Sequence, residues 1–271
     1  MATRLALLAL AAYVVYACAQ MEISWARVQT GLDNAAHFFG RLFPPNFQRW
    51  ELLWKGLTES LQIAVLASAL GILLAMPIGL CAARNLMPVW ATWPARLTIV
   101  LARSFHPVIV AIMFVKAVGF GALAGILALT LASIGFIGKL ITEAIEEISP
   151  KQVEAIRATG ASFGSVLAFG VVPQVFSRFI GFATYQLDSN LRNSTMVGIV
   201  GAGGIGGTLF AAFQRFDYDY VCAILISIIA VIMLGEIAAT GIRQVFLANA
   251  TLADLFRRGP VERTRPMLED D

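Results

Sequence analysis

Charged residues are scarce in this chain, and their scarcity excludes an ordinary soluble fold. Only 14% of its 271 residues are Asp, Glu, Lys or Arg, whereas soluble domains contain about 25%. Hydrophobic residues make up 58%, and the mean hydropathy is +0.76. The abundance of Leu, Ile, Val and Phe also excludes intrinsic disorder. The composition therefore predicts an integral membrane protein.

Cysteine and histidine are also scarce, which removes several kinds of site. The three cysteines, Cys18, Cys81 and Cys222, are too few and too scattered for a disulfide scaffold, and we interpret them as packing residues. The two histidines, His37 and His106, belong to no cluster with metal-ligand spacing. No nucleophile and base are paired in the sequence. We expect a chain without catalytic residues, bound metal or cofactor of its own.

Two glycine motifs superficially resemble nucleotide sites. The segment 201–206 fits G-x-G-x-x-G, but it lies between two apolar helices instead of in the strand–helix unit that the fingerprint requires. Gly138-Lys139 is followed by Leu140, and Ser133 occupies the position of the first glycine of a phosphate-binding loop. We therefore expect this chain to bind no ATP, and nothing in it suggests a nucleic-acid partner.

Windows without charge locate the membrane spans, because a spanning helix needs roughly 20 apolar residues. Four long windows are free of charge, and two more enclose Arg103 or the pair Asp188 and Arg192. The sequence thus predicts an all-α membrane protein with six helices, near 5–21, 57–83, 97–116, 120–142, 175–200 and 219–242. We divide it into an N-terminal helix with an outer segment at 1–56, a core at 57–245 and a polar tail at 246–271.

Two segments could be assigned differently. The window 158–177 is uncharged, but it contains Gly160, Gly164, Gly170 and Pro173, so we interpret it as interfacial helices joined by turns and not as a seventh span. The N-terminal 19 residues resemble a signal peptide that ends in A-x-A. We favour an uncleaved first helix, since the apolar run is long for a signal peptide.

The distribution of Lys and Arg predicts the orientation. With the N-terminus inside, twelve of these residues fall on cytoplasmic segments and six on outer segments. Positive charge favours the cytoplasmic side of short loops. We therefore expect both termini in the cytoplasm, and the segment 143–174 to be a cytoplasmic loop.

That loop has the signals of a short capped helix. Ser149-Pro150 supplies an N-cap and a first-turn proline, and Gly160 follows the helix where a left-handed C-terminal residue is expected. Ser162 is positioned to start a second short helix that runs toward Pro173. The loop is either an ordinary membrane-surface connection or a docking element for a cytoplasmic partner.

The same residues resemble a known family. The run 154–160, Glu-Ala-Ile-Arg-Ala-Thr-Gly, with Pro173 thirteen residues after Gly160, is similar to the EAA loop of ABC importer permeases. Ile156 departs from that pattern, as do Gly170 and Val172. The segment 188–206, with shorter stretches at 43–47 and 85–90, resembles phosphonate permeases. The resemblance covers the chain from about residue 40 onward.

The resemblance implies a type I ABC importer with methionine-permease-like architecture in the bacterial inner membrane. Two permease copies, a homodimer, would form the path, and two cytoplasmic ATPase subunits would hold ATP and Mg²⁺. A periplasmic binding protein would deliver a phosphonate, or alternatively phosphite, phosphate or methionine. A channel or secondary carrier without an ATPase is the alternative class. The residues implied to couple this chain to the ATPase are Glu154, Ala155, Arg157, Gly160 and Pro173.

The fifth predicted helix is the most polar and is our candidate translocation path. Ionisable residues within a span face a cavity or a partner, because burying them in lipid is costly. The candidate residues are Asp188, Asn190, Arg192, Asn193, Ser194 and Thr195. Asp188 and Arg192 are spaced to pair with each other, so a structural role is the alternative to oxyanion binding. Arg103 and His106 form a weaker candidate set, and we expect 201–207 to allow close helix packing.

Overall fold

The computed structural model describes residues 2–21 and 24–257, and over this part of the chain it contains helices and no strand. A five-residue π-helical segment, Leu167–Val171, joins the eighth and ninth α-helices. The α-helices are α1 Ala2–Gln20, α2 Trp25–Leu42, α3 Trp50–Ala82, α4 Val89–Ser104, α5 Pro107–Val118, α6 Ala122–Glu146, α7 Pro150–Ala158, α8 Phe163–Val166, α9 Val172–Ile199, α10 Ile205–Gln214 and α11 Tyr218–Arg257.

The predicted all-α membrane fold is confirmed. Within the described residues, five helical segments are long and apolar enough to cross a membrane, and the bent pair α4–α5 makes a sixth when it is counted as one span. The predicted polar tail begins inside α11, which extends to Arg257, and its remainder, 258–271, lies outside the described residues.

The third predicted span, 97–116, is wrong as a continuous helix. The chain bends by 92° between α4 and α5. Pro107 lacks a backbone N–H and forces the preceding residue out of the helical region, and His106 accordingly has the extended angles φ −66° and ψ 140°. Both halves pack against α6, so the break bends one element around its neighbour.

The segment 158–177 also differs from the prediction in its second half. Gly160 has φ +75° and ends the first short helix as expected, and the Ser162 hydroxyl caps α8. However, Pro173 does not end a helix: α8, the π-helical segment and α9 form one apolar run of 37 residues, Phe163–Ile199. The wider π turn accommodates the proline, and the Gln174 amide donates a hydrogen bond to the Gly170 carbonyl at 2.6 Å.

The core of the chain is the long contact between α3 and α6. Small buried residues recur along α3, which lets the two backbones approach closely, as is usual where membrane helices pack. A Cβ added to Gly71 would lie 2.3 Å from the Ser133 Cβ, and one added to Gly79 would lie 2.8 Å from Ile141. The α9 helix packs in the groove beside them. These three helices fix the positions of the polar side chains described below.

The two ends of this core are built differently. At one end, α2 and α10, which we did not predict, pack with α11, and Arg49 pairs with Asp217 at 3.0 Å. The glycine-rich turn 200–204 lies at the same end, where the Ile205 N–H donates to the Ser60 hydroxyl at 2.9 Å. The opposite end contains α7. The helices α3, α6 and α9 thus each have one end near α7 and the other end near the glycine-rich turn.

Candidate translocation cleft and coupling helix

The predicted pair Asp188 and Arg192 is present on α9. An Arg192 guanidinium nitrogen contacts an Asp188 carboxylate oxygen, and the Asp188 side chain is 13% exposed whereas that of Arg192 is 48% exposed. The second carboxylate oxygen of Asp188 is buried without a hydrogen-bond partner among the described residues. Thr195 lies on the same side of the helix, half-buried. This face points away from α3 and α6, because Asn190, on the opposite side, contacts both of those helices.

A second polar stripe of α9 is buried between helices. The Asn190 amide donates to the hydroxyls of Ser68 on α3 and Ser133 on α6, each at 2.9 Å, and the Gln186 amide donates to Ser133 at 2.8 Å. Asn190 and Ser133 are fully buried. Ser194, also fully buried, donates to the Leu191 carbonyl at 2.7 Å. These polar groups satisfy one another and hold three helices together.

A polar cleft opens beside this stripe, where α4 and α5 meet α9. Its volume is about 220 Å³. Its lining includes Arg103, Phe105, Phe136, Tyr185, Ser189 and Asn193. The predicted path residues Asn190 and Asn193 therefore line a cleft together with Arg103, whereas Asp188 and Arg192 do not line it.

Arg103 is the cation of the cleft. A Cβ added to Gly135 on α6 would lie 2.7 Å from the Arg103 Cγ, so the missing side chain at 135 leaves room for the arginine stem. Gly135 is 13 residues after Ala122 and 11 before Glu146, so at 1.5 Å per residue it is about 20 Å and 16 Å from the ends of α6. The stem of Arg103 therefore lies at mid-length of α6, and the residue is exposed at the cleft. In the described part of the chain, Arg103 has no ion-pair or hydrogen-bond partner.

The cleft continues along α4 and α6 into a second one of about 460 Å³, which Arg103 also lines. Its other charged groups, apart from Arg103, are paired with one another. Arg96 contacts Glu146 at 2.6 Å, and Lys139 contacts Glu143 at 3.4 Å. Arg103 lines both clefts, and the second one reaches Glu146 at the end that contains α7.

Tyr185 and Ser189 were not predicted as site residues, although a sequence signal for them exists. Residues 185, 189 and 193 are spaced by four, so they share one face of α9. Tyr185 stacks on Phe136 with ring centroids 5.6 Å apart, and the Asn193 amide approaches the Ser189 hydroxyl at 3.4 Å. His106, the other weaker candidate, caps α5, because its Nδ1 accepts from the Val108 N–H at 3.3 Å.

The helix α7 presents its predicted coupling residues to solvent. Glu154, Ala155, Arg157 and Gly160 are all exposed, whereas Val153 is 6% exposed and packs back onto the π-helical segment. The departures from the family pattern at 156 and 170 meet there, since a Cβ added to Gly170 would lie 3.2 Å from the Ile156 Cδ1. Pro173 lies in the first turn of α9, behind this contact.

The end of α6, which leads into α7, is hydrogen-bonded to α4, to α9 and to the turn after α3. Glu146 accepts from the Arg84 N–H at 2.9 Å and from Arg96 on α4 at 2.6 Å, while Glu147 accepts from Arg178 on α9 at 2.6 Å. The Ser149 N–H, just before α7, donates to the Gln174 side chain at 3.1 Å. The turn before α7 is therefore joined to α9, and the end of α6 that leads into it is joined to α4 and α9.

Comparison with known proteins identifies a protein family that this chain matches. Residues 75–248 match the family described as "Binding-protein-dependent transport system inner membrane component". The chain is 38% identical over 226 residues to the phosphate-import permease protein PhnE of Mycolicibacterium smegmatis, a match that covers 83% of this chain and 42% of that protein. This chain therefore spans less than half the length of that relative.

Two further matches agree with this family. The chain is 38% identical over 217 residues to the phosphite transport system permease protein PtxC of Stutzerimonas stutzeri, covering 80% of this chain and 79% of that one. Among solved structures, the inward-facing MetNI methionine ABC transporter is similar with a TM-score of 0.63 and 23% identity, covering 74% of this chain and 98% of the other. At that identity the likeness concerns the fold alone.

Proposed function

We propose that this chain, which belongs to the family of binding-protein-dependent transport system inner membrane components, carries small phosphorus oxyanions: phosphonates, phosphite or phosphate. As a member of that family it is a multi-pass permease subunit of an inner-membrane importer and not an enzyme. The substrate class is supported by two relatives at 38% identity, one named for phosphate and the other for phosphite. These ligands share a tetrahedral phosphorus centre with anionic oxygens, which a guanidinium binds well.

The observation that carries the proposal is the cleft on the inner side of the bend between α4 and α5. A membrane span that breaks where it lines a cavity is a feature of transporters, in which such breaks position substrate groups at mid-depth. Here the break at Phe105-His106 lies beside a cleft with an arginine and neutral polar groups. A path for a neutral or apolar solute would not need an uncompensated cation at that depth. Methionine is the less favoured substrate, because this chain is 23% identical to the methionine transporter and 38% identical to the phosphate and phosphite permeases.

The proposed driving step acts through α7. Its exposed residues Glu154, Ala155, Arg157 and Gly160 would dock in a groove of a cytoplasmic ATPase subunit, which binds the ATP and Mg²⁺. Closure of two such subunits would shift α7, and the contacts of Glu146 and Glu147 would pass the shift to α4 and α9. Tilting of those helices would switch the cleft from one side of the membrane to the other.

The assembly that this mechanism requires contains two copies of this chain, two ATPase subunits and a periplasmic binding protein. The binding protein would dock at the end formed by α2, α10 and the glycine-rich turn. The positive charge of the α7 end supports a cytoplasmic location for it and for both termini. A homodimer accounts for the assembly with a single permease sequence.

Reconstitution tests this proposal. The tagged chain is purified from its host with its associated subunits and placed in liposomes, and uptake of labelled phosphate, phosphite and methylphosphonate is measured with and without internal ATP and external binding protein. We expect ATP-dependent uptake, a stoichiometric ATPase subunit and no competition by methionine. Uptake without ATP and without an ATPase would support a stand-alone channel or carrier and contradict the proposal.

A further inference from the structure

We propose that the cleft around Arg103 is the oxyanion-binding site of this permease, with Arg103 as the anion ligand and Tyr185, Ser189 and Asn193 as neutral ligands. This inference rests on the proposed function, which it deepens by naming the residues that contact the substrate. It also moves the anion-binding role from Arg192, where the sequence suggested it, to Arg103.

The positive charge of Arg103 has no carboxylate partner in the described part of the chain. An ionisable side chain within membrane-spanning structure is retained where it pairs or faces a hydrated path. Arg192 has Asp188, Arg96 has Glu146 and Lys139 has Glu143. No such carboxylate contacts Arg103 among the residues that the structure describes. An anionic substrate supplies the missing partner.

Arg103 leaves α4 from a closely packed position against α6. Its stem packs over Gly135, where any larger residue would collide with the Arg103 Cγ at 2.7 Å. The neighbouring Ala102 is 6% exposed and packs against the same stretch of α6. The side chain therefore leaves α4 from a fixed point at the bend. From that point its planar guanidinium offers a fork of N–H donors that matches two oxygens of an oxyanion.

The cleft also contains neutral groups that can donate hydrogen bonds to a ligand. The side-chain amides of Gln186 and Asn190 already donate hydrogen bonds to Ser133 and Ser68 in the buried stripe. Their N–H groups are therefore not available to a ligand. The adjacent face of α9 carries Tyr185, Ser189 and Asn193. The Tyr185 ring stacks on Phe136. The phenol, hydroxyl and amide can each donate a hydrogen bond to a phosphorus oxygen.

The volume of the cleft suits a small ligand. The cleft holds about 220 Å³, whereas sites for drug-sized ligands occupy roughly 300–1,000 Å³. A small tetrahedral oxyanion with a short substituent suits this volume. Phe105 and Phe136 form apolar walls, against which the organic group of a phosphonate can rest.

The test compares Arg103→Gln with Lys116→Gln in the reconstituted transporter. Both variants remove one positive charge from the bent pair α4–α5, but Lys116 lies in the last turn of α5, away from the cleft. The probes are phosphate, phosphite and methylphosphonate. Loss of a charge-assisted hydrogen-bond pair typically weakens binding tenfold or more. We expect Arg103→Gln to reduce uptake of all three at least tenfold, with ATP hydrolysis in the absence of ligand and the thermal unfolding midpoint retained, whereas Lys116→Gln transports normally.

Wild-type uptake of a probe together with normal uptake by Arg103→Gln would overturn this assignment and leave the proposed function intact. A wild type that imports none of the three would overturn both. If Arg103→Gln does not assemble, Tyr185→Phe keeps the stacking on Phe136 and removes only the hydroxyl. We expect it to raise the half-saturating concentration of binding-protein-delivered probe severalfold, and an unchanged value would count against the site.

A protection assay gives an independent readout. Cys18, Cys81 and Cys222 are replaced by Ser, and Ser189→Cys is introduced in the assembled transporter. A negatively charged thiosulfonate should modify this cysteine, and millimolar phosphite should slow the modification at least threefold. In the additional presence of Arg103→Gln, phosphite should give no protection. Equal protection with and without Arg103 would contradict the role of the guanidinium.

Discussion

At the scale of single residues, Asp188 and Arg192 carry opposite charges on a face of α9 that does not line the cleft. The carboxylate is mostly buried; one oxygen contacts Arg192, and the other has no hydrogen-bond partner within the described part of the chain. Removing only the arginine leaves that carboxylate unpaired, while removing both charges leaves no buried ion. The pair is therefore interpreted as structural.

A double-mutant cycle tests this interpretation. We expect Arg192→Gln to lower the free energy of unfolding by about 1–3 kcal/mol, the usual cost of an unsatisfied buried polar group. Asp188→Asn/Arg192→Gln should recover most of that loss and should transport close to the wild-type rate. Thermal unfolding and uptake are measured on all four proteins. A stable double variant that has lost uptake would contradict the structural interpretation and restore Arg192 to the path.

At the scale of elements, α7 is positioned by a contact that the sequence pattern alone would not suggest. Ile156 and Gly170 each depart from the family pattern, and in the fold the isoleucine side chain occupies the space above the glycine. The two departures compensate for each other. Val153 completes the contact, so that α7 stands against the π-helical segment with its charged residues outward.

The complementarity of this pair is testable. Gly170→Ile should destabilise the protein by about 1–3 kcal/mol, because the added side chain overlaps Ile156 and overpacking of this kind has that cost. Ile156→Ala/Gly170→Ile should recover most of the loss, since it exchanges the large and the small residue across one contact. Thermal unfolding of the single and double variants measures this. Equal destabilisation of both would show that α7 does not dock here.

The two prolines show how far local sequence determines an element. Pro107 and Pro173 each disrupt a helical hydrogen-bond ladder, but only Pro173 entered the prediction of a break. The chain turns by 92° at the first, while at the second a π turn and the Gln174 side chain keep the helix continuous. The difference arises from packing: α4 and α5 wrap around α6, whereas α9 is held straight between α3, α6 and α11. Windows of hydropathy contain no information on those contacts.

At the candidate site, too, the sequence predicts local features, whereas the packing of the helices decides which residues meet. The spacing of polar residues on the fifth predicted helix correctly indicates a helix with several polar faces, and Asn193 does line the cleft. Which face meets the cleft depends on the rotation of α9 against α3 and α6, which the Asn190 hydrogen bonds fix. Arg103 was only a weaker candidate, because its distance from α9 in sequence gives no sign that the two meet. Family resemblance identified α7 because that motif is local.

At the scale of the whole molecule, helix lengths constrain how the chain sits in a bilayer. The run Phe163–Ile199 contains 37 residues and is therefore about 55 Å long, whereas a hydrocarbon core is about 30 Å thick. One end must extend beyond the membrane. Its C-terminal end leads into the glycine-rich turn, whose backbone packs against Ser60 and Ala122, so we expect the excess length at the α7 end. The clustered Arg84, Arg96 and Arg178 at that end favour the cytoplasmic side.

Cysteine labelling tests this placement. Gln152→Cys on α7 and Gln48→Cys at the opposite end are both at exposed positions, and the three native cysteines are replaced by Ser. In intact cells a membrane-impermeant maleimide should label position 48 and not 152, and in inverted vesicles the pattern should reverse. The two sites serve as controls for each other, since lysis would expose both. Labelling of position 152 from outside would invert the whole molecule and place α7 where no ATPase can reach it.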